Sequence, residues 1–222
     1  MLYRHRRRHD SPDVTGFDDN SSMPLSEDAF AGGPPAPDEL ELIIDSAHLD
    51  CVVARLLRAR VSVDIATADF KAMLIPSAGF GRSRAPSIVT HLRRLAQRGV
   101  EVRILHAGVP SSAAREELRR GLPDRLRIRR CPRLHAKAVI VDASAMYLGS
   151  ANLTGAGLGA KAAHRRNFEW GIWTSRFDLL DAVLQQYNNL WEGHRCEGCG
   201  RRDVCPVPLE EPQLVQPAAG EN

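Results

Sequence analysis

The stretch LHAKAVIVDASAMYLGSANLT, residues 134 to 154, sets His135, Lys137, Asp142, Gly149, Ser150 and Asn152 in the order His-x-Lys-x4-Asp-x6-Gly-Ser-x-Asn. The apolar AVIV between Lys137 and Asp142 reads as a buried strand. On a strand, residues two apart share a face, so His135 and Lys137 are expected to project together. A second short run, Met146 to Leu148, brings the chain back. Ser150 and Asn152 then leave that strand end on one face. An imidazole, an ammonium, a hydroxyl and a carboxamide are thereby expected to converge on one small anion, and the set suits a tetrahedral phosphate.

Such a set can displace a group at phosphorus without a metal ion. A neutral His attacks phosphorus and splits one difficult displacement into two easier ones. Lys137 and Asn152 are expected to hold non-bridging oxygens and stabilise the charge that develops. A second acid must protonate the leaving oxygen, and a pKa near working pH again favours His.

These residues resemble the HKD signature of the phospholipase D superfamily at every defining position. The resemblance implies an α/β fold, a mixed sheet flanked by helices, in which two such motifs meet across a twofold axis. This chain carries one motif: His106, His164 and His194 lack the residues that should follow. A homodimer is therefore implied, with His135 of one copy as nucleophile and that of the other as general acid. The resemblance gives Asp142 an orienting role. It also matches Glu169, in Asn167-Phe-Glu-Trp, to the acidic residue that bonds the catalytic imidazole. Gly149, Lys161, Arg165 and Arg166 are expected to border the substrate.

Charge narrows the substrate. The net charge is +3 over 222 residues, but residues 46 to 205 carry 26 Lys and Arg against 14 Asp and Glu, while the two ends together hold 4 against 13. A basic body beside a phosphodiester site argues for a polyanion, DNA before RNA. The run Arg115, Arg119, Arg120, Arg125, Arg127, Arg129, Arg130 and Arg133, which leads into the motif, supports this. No stretch approaches the ~20 apolar residues of a membrane span, and the basic start has no apolar run after it, so a cytoplasmic protein with no membrane partner is expected.

The rest of the chain alternates strands and helices. Residues 1 to 40 and 209 to 222 read as disordered tails around a catalytic domain over 41 to 193. Leu40 to Ile44 reads as a strand or a helix entry. Ser46 is the expected cap of a helix over Ala47 to Ala59, with Leu49, Val52, Val53, Leu56 and Leu57 inward. Strands are expected over Val61–Thr67, Val100–His106, Leu126–Arg129 and Phe168–Thr174. Helices are expected from Pro86 to Gly99, from Ser111 or Ser112 to Arg120, and from a Ser175 cap to Glu192. The loop holding Phe70, Lys71, Phe80, Arg82 and Arg84 has the mixture of rings and guanidinium groups that meets a nucleic-acid strand, although a loop with no ligand role fits as well.

Residues 194 to 208 contain Cys196, Cys199 and Cys205 in a Cys-x2-Cys-x5-Cys spacing followed by Pro206. Close thiolates repel unless a cation holds them, so the spacing indicates a metal. It resembles the carboxy-terminal part of the iron–sulfur staple of Cas4-like and RecB-family nucleases, which implies a 4Fe-4S cluster with a fourth cysteine from upstream. Cys131 is the natural candidate, with Cys51 or His194 as alternatives. A structural zinc satisfies the same count. Together these features lead to a dimeric, metal-independent DNA phosphodiesterase in a restriction, defence or repair system. A phospholipid phosphodiesterase and a non-catalytic nucleic-acid-binding subunit of a larger complex are the alternatives.

Overall fold

The computed structural model describes residues 40–76, 85–201 and 204–205. The expected tails, apart from Leu40, and the loop residues Phe80, Arg82 and Arg84 lie outside these. Seven strands form one mixed sheet: β1 (Leu40–Ile44), β2 (Ser62–Thr67), β3 (Glu101–His106), β4 (Leu126–Arg130), β5 (Ala138–Val141), β6 (Ala145–Gly149) and β7 (Trp170–Thr174), in the order β1-β7-β6-β5-β2-β3-β4. β2, β3 and β4 are parallel neighbours, and the other pairings are antiparallel.

Alternation along each strand sorts the core into two layers. Val63, Ile65, Val102, Ile104, Val139, Tyr147 and Trp173 face one side, where they pack with α1 (Ala54–Leu57), α2 (Ile88–Gln97) and α3 (Ser112–Arg119). Ala66, Leu105, Ala138, Ile140 and Met146 face the other side, under α4 (Phe177–Trp191). The central strand β2 is buried on both faces from Val63 to Thr67, as a strand sandwiched between helices must be. Its one carboxylate, Asp64, is 3 % exposed and pairs with Arg103 Nε at 2.5 Å. The same guanidinium stacks on Tyr187 and Trp191 of α4.

Two expectations about helix starts are corrected. The segment from Ala47 is helical from its first residue, as expected, but is widened to π-type turns over Leu49–Val53 before α1. Val52, Val53 and Leu56 are buried as expected, because an apolar stripe looks much the same for either winding over so short a run. Ser87, not Pro86, is the N-cap of α2, accepting the Thr90 N–H. α4 begins after Arg176 rather than at a Ser175 cap. Ser111 caps α3 as expected, accepting from Ala114 N–H.

α4 covers only part of its side of the sheet. Leu40, Leu42 and Ile44 pair in register with Thr174, Ile172 and Trp170, and paired residues share a face. Leu42 is 65 % exposed and Trp170 66 %, with Leu40 and Ile44 about half exposed, so this end of the sheet shows a bare apolar face. No helix among the described residues is long and apolar enough to cross a membrane.

Candidate active site

The topology brings four chain segments to one end of the sheet. The carboxy-terminal ends of β2, β3 and β6 lie there, as does the entry to β5, which runs antiparallel to β2 and β6. Ala138 pairs with Ala66 on one side and Leu148 on the other. Lys137, one residue earlier, thus stands between Thr67 and Gly149, and its carbonyl accepts the Gly149 N–H. Lys137 Nζ lies 3.3 Å from both ring nitrogens of His135 and donates to the His135 carbonyl at 2.9 Å. The imidazole and ammonium therefore do share a face, and His135 is exposed.

Asn152 is aimed by its oxygen. That oxygen accepts the backbone N–H groups of Ala68 at 3.1 Å and Asp69 at 3.0 Å, beyond the end of β2. Its NH2 is the end left to donate to a ligand. Thr67, 1 % exposed, ties the same corner: its hydroxyl donates to the Asp69 carbonyl and accepts the Leu153 N–H.

Ser150 does a different job from the one expected. Its hydroxyl donates to the carboxylate of Glu169 and accepts the Trp170 N–H at 3.1 Å, so its proton is not directed at a phosphate. Glu169 is 5 % exposed and takes a second donor, Asn167 Nδ2, at 3.0 Å. A buried carboxylate needs such donors, and among the described residues the carboxylate does not bond His135. Asp142 is also remote from the imidazole. It sits at the far end of β5, five residues past Lys137, or roughly 16 Å at ~3.3 Å per residue. There, at φ 53°, it accepts the N–H groups of Arg60, Val61 and Ser62 and fixes the entry to β2. Its role is to hold the scaffold.

Gly149 answers a steric demand. A Cβ on it would lie 2.3 Å from the Tyr147 hydroxyl and 2.7 Å from the Gly171 Cα, so the ring of Tyr147 needs both glycines. Lys161 lies with Lys71 and Thr154 on a cavity of about 390 Å³ that shares no lining residue with the one holding His135. Arg165 and Arg166 line neither cavity, and Arg166 Nε donates to the Lys161 carbonyl. Much of the arginine run is spent inside the chain. Arg125 and Arg127 pair with Glu101, Arg129 caps the Trp191 carbonyl, and Arg130 bonds the Ala107 carbonyl.

Sequence reasoning missed the buried support behind the site. His48 Nδ1 bonds the Asp45 carbonyl at 2.7 Å and His48 Nε2 the Tyr147 hydroxyl at 3.0 Å, and that hydroxyl accepts the Ala151 N–H at 3.1 Å. The first contact fixes the tautomer: Nδ1 donates, so Nε2 accepts from the tyrosine. Asp45 in turn accepts the Glu169 N–H at 2.9 Å. No local sequence signal marks His48 or Tyr147, because their partners lie up to 99 residues away. His106, 0 % exposed, donates from Nδ1 to the Gly108 carbonyl at 2.7 Å, and its Nε2 is buried without a partner among the described residues.

An exposed imidazole and a half-buried ammonium, side by side at the mouth of a mixed sheet with a fixed carboxamide nearby, define a site of the phosphodiesterase type. The sequence model of the family described as "Cardiolipin synthase, PLD-like domain" matches residues 52–191, well over half the chain, and the chain belongs to the phospholipase D-like family. Two solved structures share the fold. NucT from Helicobacter pylori superposes with a TM-score of 0.54 at 17% identity, covering 70% of this chain and 96% of that one. The phospholipase D family member Nuc from Salmonella typhimurium gives 0.51 at 21% identity, covering 70% and 95%. No curated protein sequence matches significantly.

Two outcomes are expected. Tyr147→Phe strands His48 Nε2 and the Ala151 N–H in the core, and should lower the unfolding free energy by ~2 kcal/mol in a denaturant titration. Burial holds the His106 pKa below its ordinary 6.5. The unfolded chain therefore takes up this proton first, and the stabilisation present above pH 6.5 is lost as the pH falls. His106→Gln should flatten the acid limb of a stability-versus-pH curve.

Proposed function

We propose that the chain is a nuclease that cleaves DNA phosphodiesters through a phosphohistidine on His135, as a homodimer and without a metal ion in the reacting site. The observation that carries this is the pairing of His135 with Lys137 at an exposed sheet edge, with the NH2 of Asn152 turned out by its pinned oxygen. A ring nitrogen of His135 attacks phosphorus and forms the N–P bond, while the bond to the leaving oxygen breaks. His135 of the partner subunit gives that oxygen its proton. Water then attacks, the N–P bond breaks, and the same partner imidazole takes the water's proton. Lys137 and Asn152 stabilise the charge on the non-bridging oxygens.

The second copy is the occupant that best suits the bare face of β1 and β7. Leu42, Ile44 and Trp170 would otherwise stay in water, at a cost of ~25 cal/mol per Å². The face is continuous with the site, because Trp170 donates its N–H to Ser150 and follows Glu169 in the chain. A dimer through it brings two single-motif sites toward each other. The basic body, 26 Lys and Arg against 14 acids over residues 46 to 205, supports a polyanionic substrate. DNA restriction, defence or repair is the setting that fits such an activity.

Labelled single-stranded and duplex DNA, offered in chelator-containing buffer, should be cut by the parent protein, with His135→Ala slower by at least ~10³-fold. Release of headgroup from phospholipid vesicles with intact DNA would assign the other substrate class, and DNA binding without cleavage would assign a binding subunit. Leu42→Glu should turn the dimer into a folded monomer by sedimentation and abolish cleavage. A dimer that persists would place the interface elsewhere.

A further inference from the structure

Cys131, Cys196, Cys199 and Cys205 all line one cavity of about 750 Å³, and His135 lines the same cavity. Two parts of the chain some 65 residues apart supply these thiols. Cys131 follows β4, where its N–H bonds the His106 carbonyl at 2.8 Å and its carbonyl accepts the Leu134 N–H at 2.9 Å. That tight turn delivers the chain directly to His135. The other three thiols come from two turns after α4: Cys199 N–H bonds the Cys196 carbonyl at 3.2 Å, and Cys205 N–H bonds the Arg201 carbonyl at 3.0 Å. Gly198, at φ 66°, permits the first reversal.

We propose that these four thiols bind a metal centre as thiolates, and that the centre clamps the carboxy-terminal turns to the Cys131 turn and so positions His135. Four features of the structure favour this. The segment from Gly193 to Cys205 is mostly Gly, Arg and acids, with little apolar surface to hold it in place, yet it lies against the core through Cys196. No disulfide joins the cysteines. Arg133, Arg195 and Arg201 line the cavity, which suits the net negative charge of a four-thiolate centre, and Arg133 Nη1 stands 3.6 Å from Cys199 Sγ. Cys51 is set apart: it lines none of this cavity, and its thiol donates to Glu41 Oε1 at 3.4 Å.

Among the described residues no three His, Cys, Asp or Glu side chains stand close enough to hold an ion as they are. Binding therefore brings the four thiols closer together than they stand here, and each releases its proton as it ligates. An all-thiolate set accepts zinc or an iron–sulfur cluster, and the two share this ligand chemistry. The metal site stands independently of the nuclease reading. Its positioning role rests on that reading.

The test uses the full chain purified without oxygen. Elemental and sulfide analysis should give either about one zinc per chain or iron and sulfide in equal amount, about four each, with broad visible absorption. Either result supports a thiolate centre and identifies the metal. Cys196→Ser and Cys131→Ser should lose the metal, whereas Cys51→Ser should keep it. If a serine variant fails to fold, the parent protein still decides: alkylation of the native chain should spare Cys131, Cys196, Cys199 and Cys205 while metal is bound and modify them once the metal is stripped. A folded chain without zinc or iron, or metal content indifferent to Cys131 and Cys196, overturns the site. DNA cleavage that survives stripping, with metal loss and ligation verified, removes the positioning role while leaving both the site and the nuclease reading in place.

Discussion

Tyr147 sits at the junction on which the site's geometry depends. Its ring lies over Gly149 and Gly171 on one face of the sheet, and its hydroxyl joins the first helical segment to the loop after β6. Burial pushes its pKa up to about 12, so the group stays a neutral donor to His48. Every contact in this chain is satisfied: Asp45 carbonyl, His48, Tyr147, Ala151 N–H. A buried polar network of this kind is worth its cost only when complete, and complete it permits one arrangement of the strand ends.

From that junction the two sides of the catalytic edge are built separately. On one side, Asp45 holds the Glu169 backbone while Ser150 and Asn167 hold its carboxylate. On the other, Asn152 and Thr67 lock the end of β2 to the loop after β6. Lys137 and His135 stand between these corners without strong bonds to either. The supporting network is buried, whereas His135 is exposed and Lys137 partly so. That division suits the proposed reaction, in which the imidazole forms and breaks a bond to phosphorus.

Glu169 and Asp142 show how one motif can mix two kinds of constraint. Asp142 is as much part of the motif as His135, yet it lies at the opposite edge of the sheet, gathering three backbone N–H groups. Gly149 leaves the room that the tyrosine lying against it needs, whatever it does for a phosphate. A linear pattern records that positions are constrained but does not say by what. The arginine run before β5 makes the same point, since Arg125 and Arg127 share Glu101 and Arg129 caps α4, contacts that the linear pattern does not show.

The sequence by itself determined the alternation of strands and helices, the pairing of His135 with Lys137, and family membership, because these depend on local periodicity and on spacing within about twenty residues. The α/β sheet and six of its seven strands were legible on that basis, with Leu40–Ile44 left open between strand and helix entry. The tertiary structure decided what long-range contacts alone can decide: that Ser150 gives its proton to Glu169, that Asn152 is aimed by Ala68 and Asp69, and that His48 and Tyr147 stand behind the site. It also set Cys131 on the same cavity as the carboxy-terminal cysteines. These hydrogen bonds, most of them between residues 83 to 99 apart, leave no periodic trace in the chain, and they exist only once the sheet has set its register.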